Sequence, residues 1–83
     1  SGDSMVDEHI QDGDYVILEH RQQANNGEIV IALIDGEKAT LKKYFREGAR
    51  IRLQPANSLL EPMVLEESRV QVQGVVVGLM RKY

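Results

Sequence analysis

Apolar positions come in short bursts between polar, glycine-bearing breaks. Residues 1–12 are polar with a scatter at Met5, Val6 and Ile10, which reads as a turn or a single helical turn. Asp12-Gly13-Asp14 is a tight turn signal, and Tyr15–Leu18 follows as a short strand. A polar stretch from Arg21 closes at Asn25-Asn26-Gly27. Glu28–Ile34 is a near-continuous β-branched run, which predicts a central strand buried on both faces. Asp35-Gly36 between two strand-like runs is a hairpin signal, with Lys38–Arg46 as the partner strand. Glu47-Gly48 turns the chain into Ala49–Gln54, where Ile51 and Leu53 face one way and Arg50 and Arg52 the other. Pro55–Pro62 holds both prolines and reads as a loop, and Met63–Leu65 is a short extended segment. Val70–Met80 is the last strand, with Gly74 and Gly78 marking a bulge, bend or close backbone approach. About six strands with almost no helix predict one all-β domain over residues 1–83, an antiparallel sheet that curls on itself in a partly barrel-like way.

Composition narrows the picture. With 42% hydrophobic and 28% charged residues, the 83-residue chain has globular rather than disordered character. At this size roughly 60% of the unfolded surface can be buried, so a lone core is marginal and an oligomer interface or flanking sequence is the expected supplement. There is no cysteine, which removes disulfides and thiolate metal sites. A net charge of −3 disfavours a phosphate-binding surface, and the few aromatics show no stacking pattern. No apolar run approaches the roughly 18 residues of a membrane span, and no signal-peptide pattern occurs. Neither GxGxxG nor GxxxxGK[ST] nor HExxH is present, and Asp3, Asp7, Glu8, Asp12 and Asp14 lack the spacing of a calcium loop. They read as a solvated acidic face.

The candidate chemistry lies in a serine and two lysines. Ser4 follows a glycine ahead of the first strand; a serine there ordinarily caps a turn. As a nucleophile it needs a base within hydrogen-bond reach. His9 lies in a polar stretch and His20 in a charged one, so both read as surface histidines rather than triad members. In the strand from Lys38, the side chains of Lys38, Thr40, Lys42 and Tyr44 share one face, and those of Ala39, Leu41, Lys43 and Phe45 the other. Lys42 and Lys43 therefore point to opposite sides, and the Thr40 hydroxyl is placed to orient the Lys42 amine. A lysine acts as a general base only when neutral, which requires its pKa to fall by roughly three units from about 10.4 to be half deprotonated at pH 7. Burial against Val, Ile and Leu runs without a carboxylate is the available cause. The competing reading is an edge strand whose lysines discourage aggregation.

Gly2-Asp3-Ser4-Met5, Asp12-Gly13-Asp14 and Thr40-Leu41-Lys42-Lys43 together resemble the C-terminal domain of the LexA-type self-cleaving repressors. Their serine peptidase family also takes in phage repressors, UmuD and, more distantly, signal peptidases. The resemblance covers essentially the whole chain, including Asn25-Asn26-Gly27-Glu28, Leu53-Gln54-Pro55-Ala56-Asn57 and Gly74-Val75-Val76-Val77-Gly78. It implies Ser4 as nucleophile of a Ser–Lys dyad, Lys42 as its general base and Thr40 as a supporting hydroxyl. The backbone N–H groups of Asp3 and Ser4 would form the oxyanion hole. No role is implied for Lys38, Lys43 or the histidines, and no metal or cofactor. The family reaction is hydrolysis of an Ala–Gly bond in the protein's own hinge, stimulated by the RecA filament on single-stranded DNA, within the SOS response of the bacterial cytoplasm. The sequence holds no Ala–Gly dipeptide, and only three residues precede Ser4. The expectation is thus a truncated catalytic core, without the cleavage segment and without the N-terminal domain through which such repressors bind DNA. The resemblance also implies a homodimer paired through Val70–Met80 and no membrane association. Two further readings stay open: a UmuD-like partner of a translesion polymerase, and a catalytically silent β-module that serves only dimerisation.

Overall fold

A computed structural model describes residues 13–57 and 59–81 of the chain. They form a six-stranded antiparallel sheet of β1 (Tyr15–Glu19), β2 (Ile29–Ile34), β3 (Lys38–Glu47), β4 (Arg50–Gln54), β5 (Met63–Glu66) and β6 (Val70–Met80). A single 3₁₀ turn, Glu67–Arg69, is the helical element among the described residues. The spatial order is β1-β6-β2-β3-β4-β5, so the sheet stays open with β1 and β5 at its edges. The all-β expectation holds, and the strand bounds differ from the expected ones by a residue or so at some ends.

The β2–β3 hairpin is built by Asp35-Gly36. Both residues have positive φ, 54° and 72°, the left-handed pair that matches the twist of the flanking strands. The Asp35 carboxylate accepts two hydrogen bonds from Arg69, at 2.8 and 2.7 Å, which ties the turn to the start of β6. Before β2, the loop is sewn to β3: Gly27 N–H donates to the Tyr44 carbonyl and Tyr44 N–H to that of Glu28. Asn26 accepts from the Arg46 N–H at 2.7 Å.

Strand β6 divides its pairing. Val70–Val75 lies against β2 and Val75–Met80 against β1, with Val75 in register on both sides. Each ladder contains a slip. Ile31 pairs with Gly74 but Ala32 with Val72, and Ile17 pairs with Gly78 but Leu18 with Val76. These are the bulges that the two glycines signalled. At Gly78 a Cβ would stand 3.1 Å from Ile17 Cδ1, which explains the close approach there.

One face of the sheet carries the core. Val30, Ala32 and Ile34 of β2, Tyr44 of β3, Ile51 and Leu53 of β4, and Val72 and Val75 of β6 are buried together. Val30, Leu53 and Val75 are wholly inaccessible and Ile51 nearly so. The expectation that β2 is buried on both faces is corrected. Its burial alternates, with Ile29, Ile31 and Leu33 only half covered. A single sheet has one core face, and the opposite side of β2 receives only partial cover.

Candidate functional site

The core face determines where the strand-borne chemistry lies. Register pairs Lys42 with Val30, Thr40 with Ala32 and Lys38 with Ile34. The even-numbered side chains of β3 therefore stand on the same face as the core. Lys43 and Phe45 occupy the other face, where the Arg52 guanidinium stacks 4.2 Å from the Phe45 ring centre and also bonds Gln54. β3 is an interior strand between β2 and β4, which overturns the edge-strand reading of its lysines.

Lys42 is half-buried. Its Nζ donates to the Leu41 carbonyl at 3.3 Å, and no carboxylate pairs with it among the described residues. Burial is the main cause holding its amine below the ordinary lysine range, and the positive charge of Lys38 is the second. A desolvated ammonium without a counter-ion is destabilised relative to the neutral amine. The direction of this shift is the one a lysine base requires. Thr40 sits on the same face two positions away, but the hydrogen bond of the amine goes to the strand backbone rather than to the threonine hydroxyl.

Ser4 and Asp3 lie outside the described residues, as does His9. The structure sets Lys42 and Thr40 on one face of β3. His20 is exposed at the end of β1. Lys38 lies on the same face of β3 as Lys42, and its positive charge adds to burial in lowering the Lys42 pKa. Further along the same face, a cleft of about 620 Å³ opens over Tyr44, Ile51, Val70 and Val72. Among the described residues no group of three His, Cys, Asp or Glu side chains is placed to hold a metal.

Comparison with known proteins bears on the whole chain. Residues 1–77 match the profile of the family described as Peptidase S24-like. A protein named LexA repressor from Koribacter versatilis (strain Ellin345) is 52% identical over all 83 residues, which make up 40% of that protein. A second LexA repressor, from Zymomonas mobilis subsp. mobilis (strain ATCC 31821 / ZM4 / CP4), is 53% identical over 83 residues, or 38% of its length. The chain thus spans about two fifths of the curated relatives it matches.

Proposed function

The chain belongs to the S24-like peptidase family, and from that premise we propose that it is the catalytic core of a LexA-type repressor that cleaves its own hinge. The observation that carries the reading is Lys42, interior to the sheet, set on the core face and without a carboxylate partner among the described residues.

In this mechanism neutral Lys42 takes the proton from Ser4 Oγ as the oxygen attacks the scissile carbonyl. The backbone N–H groups of Asp3 and Ser4 donate to the oxyanion of the tetrahedral intermediate. Collapse expels the amine, which receives the proton from Lys42, and leaves an acyl-serine. Lys42 then deprotonates the water that hydrolyses the ester, and Ser4 regains its proton. Bringing a lysine from about 10.4 to neutrality at pH 7 corresponds to about 4 kcal/mol of differential destabilisation of the ammonium at ~1.36 kcal/mol per unit. Desolvation and a nearby like charge both act in that direction. The RecA filament on single-stranded DNA would raise the population in which a cleavage segment docks at Ser4.

The same core is proposed to dimerise through β6. Val76–Met80 has no strand on its β2 side among the described residues, because β2 pairs only with Val70–Val75. Val77, Leu79 and Met80 are exposed there. An open strand edge flanked by apolar side chains supports symmetric pairing with a second copy.

The test supplies the chain with a longer LexA-type repressor whose own nucleophilic serine is alanine. The expected result is cutting in trans that increases with pH, disappears in Lys42→Ala and persists in Lys43→Ala. Loss in Lys43→Ala with retention in Lys42→Ala would reverse the assignment of the two lysines.

A further inference from the structure

Asn26-Gly27 sets a reactive sequence in a restraining structure. Asparagine is thermolabile, because the backbone nitrogen that follows it attacks its side-chain carbonyl carbon when the chain is free to bend. Glycine in the following position lacks the Cβ that hinders this approach and gives the backbone the freedom to make it. Of the three asparagines, Asn25 is followed by Asn26 and Asn57 by Ser58, so Asn26 alone precedes glycine.

The fold ties both reacting groups to β3. Gly27 N–H donates to the Tyr44 carbonyl at 2.8 Å, and Asn26 Oδ1 accepts from the Arg46 N–H at 2.7 Å. The nucleophile is held by the proton it must lose. The electrophile is held by the oxygen of the carbonyl that must be attacked. Neighbouring bonds fix the loop further. Tyr44 N–H donates to the Glu28 carbonyl at 2.8 Å, and Glu28 N–H to that of Asn25 at 3.1 Å. The Glu28 carboxylate accepts from Asn25 N–H at 2.7 Å and from the Arg21 guanidinium. Asn26 itself is exposed, so water and hydroxide reach it. Its restraint is conformational and does not come from exclusion of solvent.

We propose that Asn26 is a latent deamidation site, silent while its loop is bound to β3 and reactive when the loop lets go. In the open loop, solvent base removes the Gly27 amide proton and the nitrogen attacks Asn26 Cγ. The Cγ–Nδ2 bond breaks and the side-chain nitrogen departs as ammonia, leaving a succinimide. Water then opens the ring at either carbonyl, giving aspartate or isoaspartate. One water is consumed and one ammonia released, with no change of oxidation state.

The two products differ in what they do to the fold. Aspartate keeps an oxygen that accepts from the Arg46 N–H. Isoaspartate routes the backbone through the side chain and adds one carbon between residues 26 and 27. The anchors on Tyr44 and Arg46 are then out of step and cannot both re-form. An opening that lasts long enough to react is thus recorded permanently at the flank of β3.

The test follows the mass gain at residue 26 over time, in one alkaline buffer, for the folded 83-residue chain and for a synthetic peptide of residues 21–32 as the unrestrained reference. Isomerisation at Asp35-Gly36 leaves the mass unchanged and does not interfere. Asn26 should react first in the peptide and about tenfold or more slowly in the folded chain, because the loop must open before it reacts. Unfolding the chain in urea should bring its rate to that of the peptide in the same urea. Equal rates in peptide and folded chain overturn the proposal, as does faster reaction at Asn25 than at Asn26 in the peptide. Amide hydrogen exchange is the second readout: Gly27 and Arg46 should be protected, and free exchange at both would contradict the restraint. Thermal melts are the third. The isoaspartate form isolated from aged chain should melt below Asn26→Asp, and equal melting would remove the proposed consequence for the fold.

Discussion

At the scale of the residue, Lys42 links chemistry to stability. Its pKa is depressed in the folded state, so between that value and the ordinary one the unfolded chain binds more protons, and stability rises with pH. Below both values the full cost of the desolvated ammonium is carried by the fold. Lys42→Met keeps the length of the side chain and removes the charge. The expected outcome is abolished cleavage with a melting temperature at pH 7 no lower than the parent's, and a parent that gains on the variant as pH rises toward 10. A variant that melts well below the parent at pH 7 would mean the amine stabilises this face. Carboxylates behave in the opposite sense. Hydrogen bonds from Arg69, Arg21 and Arg46 hold Asp35, Glu28 and Glu67 below the usual carboxylate range. Their stabilisation is present above about pH 4 and fades as pH falls through the depressed values. Asp35→Asn tolerates the same left-handed backbone. It should therefore melt slightly lower at pH 7 and lose less stability on acidification, as thermal melts at both pH values will read out.

At the scale of the element, sequence chemistry and geometry agree closely where a local rule acts. Asp35-Gly36 announced a hairpin and adopts the two positive φ values such a turn needs. Gly74 and Gly78 announced irregularity and sit at the two register slips of β6. Alternation in β3 separated Lys42 from Lys43 correctly because the period of a strand is two. The reading of β2 failed because a run of apolar residues reports composition, whereas burial depends on what covers each face. The sheet order, with β6 between β1 and β2, was likewise invisible, since it is set by pairings far apart in the chain. β4 holds two of the largest fully buried side chains, Ile51 and Leu53. Leu53→Ala empties a site with no solvent access and should cost about 2–5 kcal/mol, a large share of what so small a domain possesses. Chemical denaturation will measure it. A loss of under about 1 kcal/mol would mean that the core face can collapse around the gap.

At the scale of the whole molecule, a single open sheet leaves apolar surface to cover. Tyr15, Ile17 and Leu18 of β1 and Val77, Leu79 and Met80 of β6 are exposed along neighbouring strands. Among the described residues no helix is long and apolar enough to cross a membrane. Dimerisation through the open half of β6 is the expected resolution. Sedimentation equilibrium at tens of micromolar should give twice the chain mass of 9.4 kDa, and Leu79→Lys should shift it toward monomer. A monomer at those concentrations would remove the dimer from the account. The resemblance to self-cleaving repressors was legible from three short motifs, and the family match over residues 1–77 agrees with it. The proposed dyad joins two residues far apart in sequence, and nothing local in either motif pairs them.

The central claim is that Ser4 is a nucleophile activated by Lys42. Labelling of the chain with a serine-directed fluorophosphonate, followed by mass mapping, tests it without any peptide substrate. The account predicts a single adduct at Ser4, forming faster as pH rises, lost in Lys42→Ala and retained in Lys43→Ala. An adduct on another residue, or equal labelling of Ser4 with and without Lys42, would contradict it.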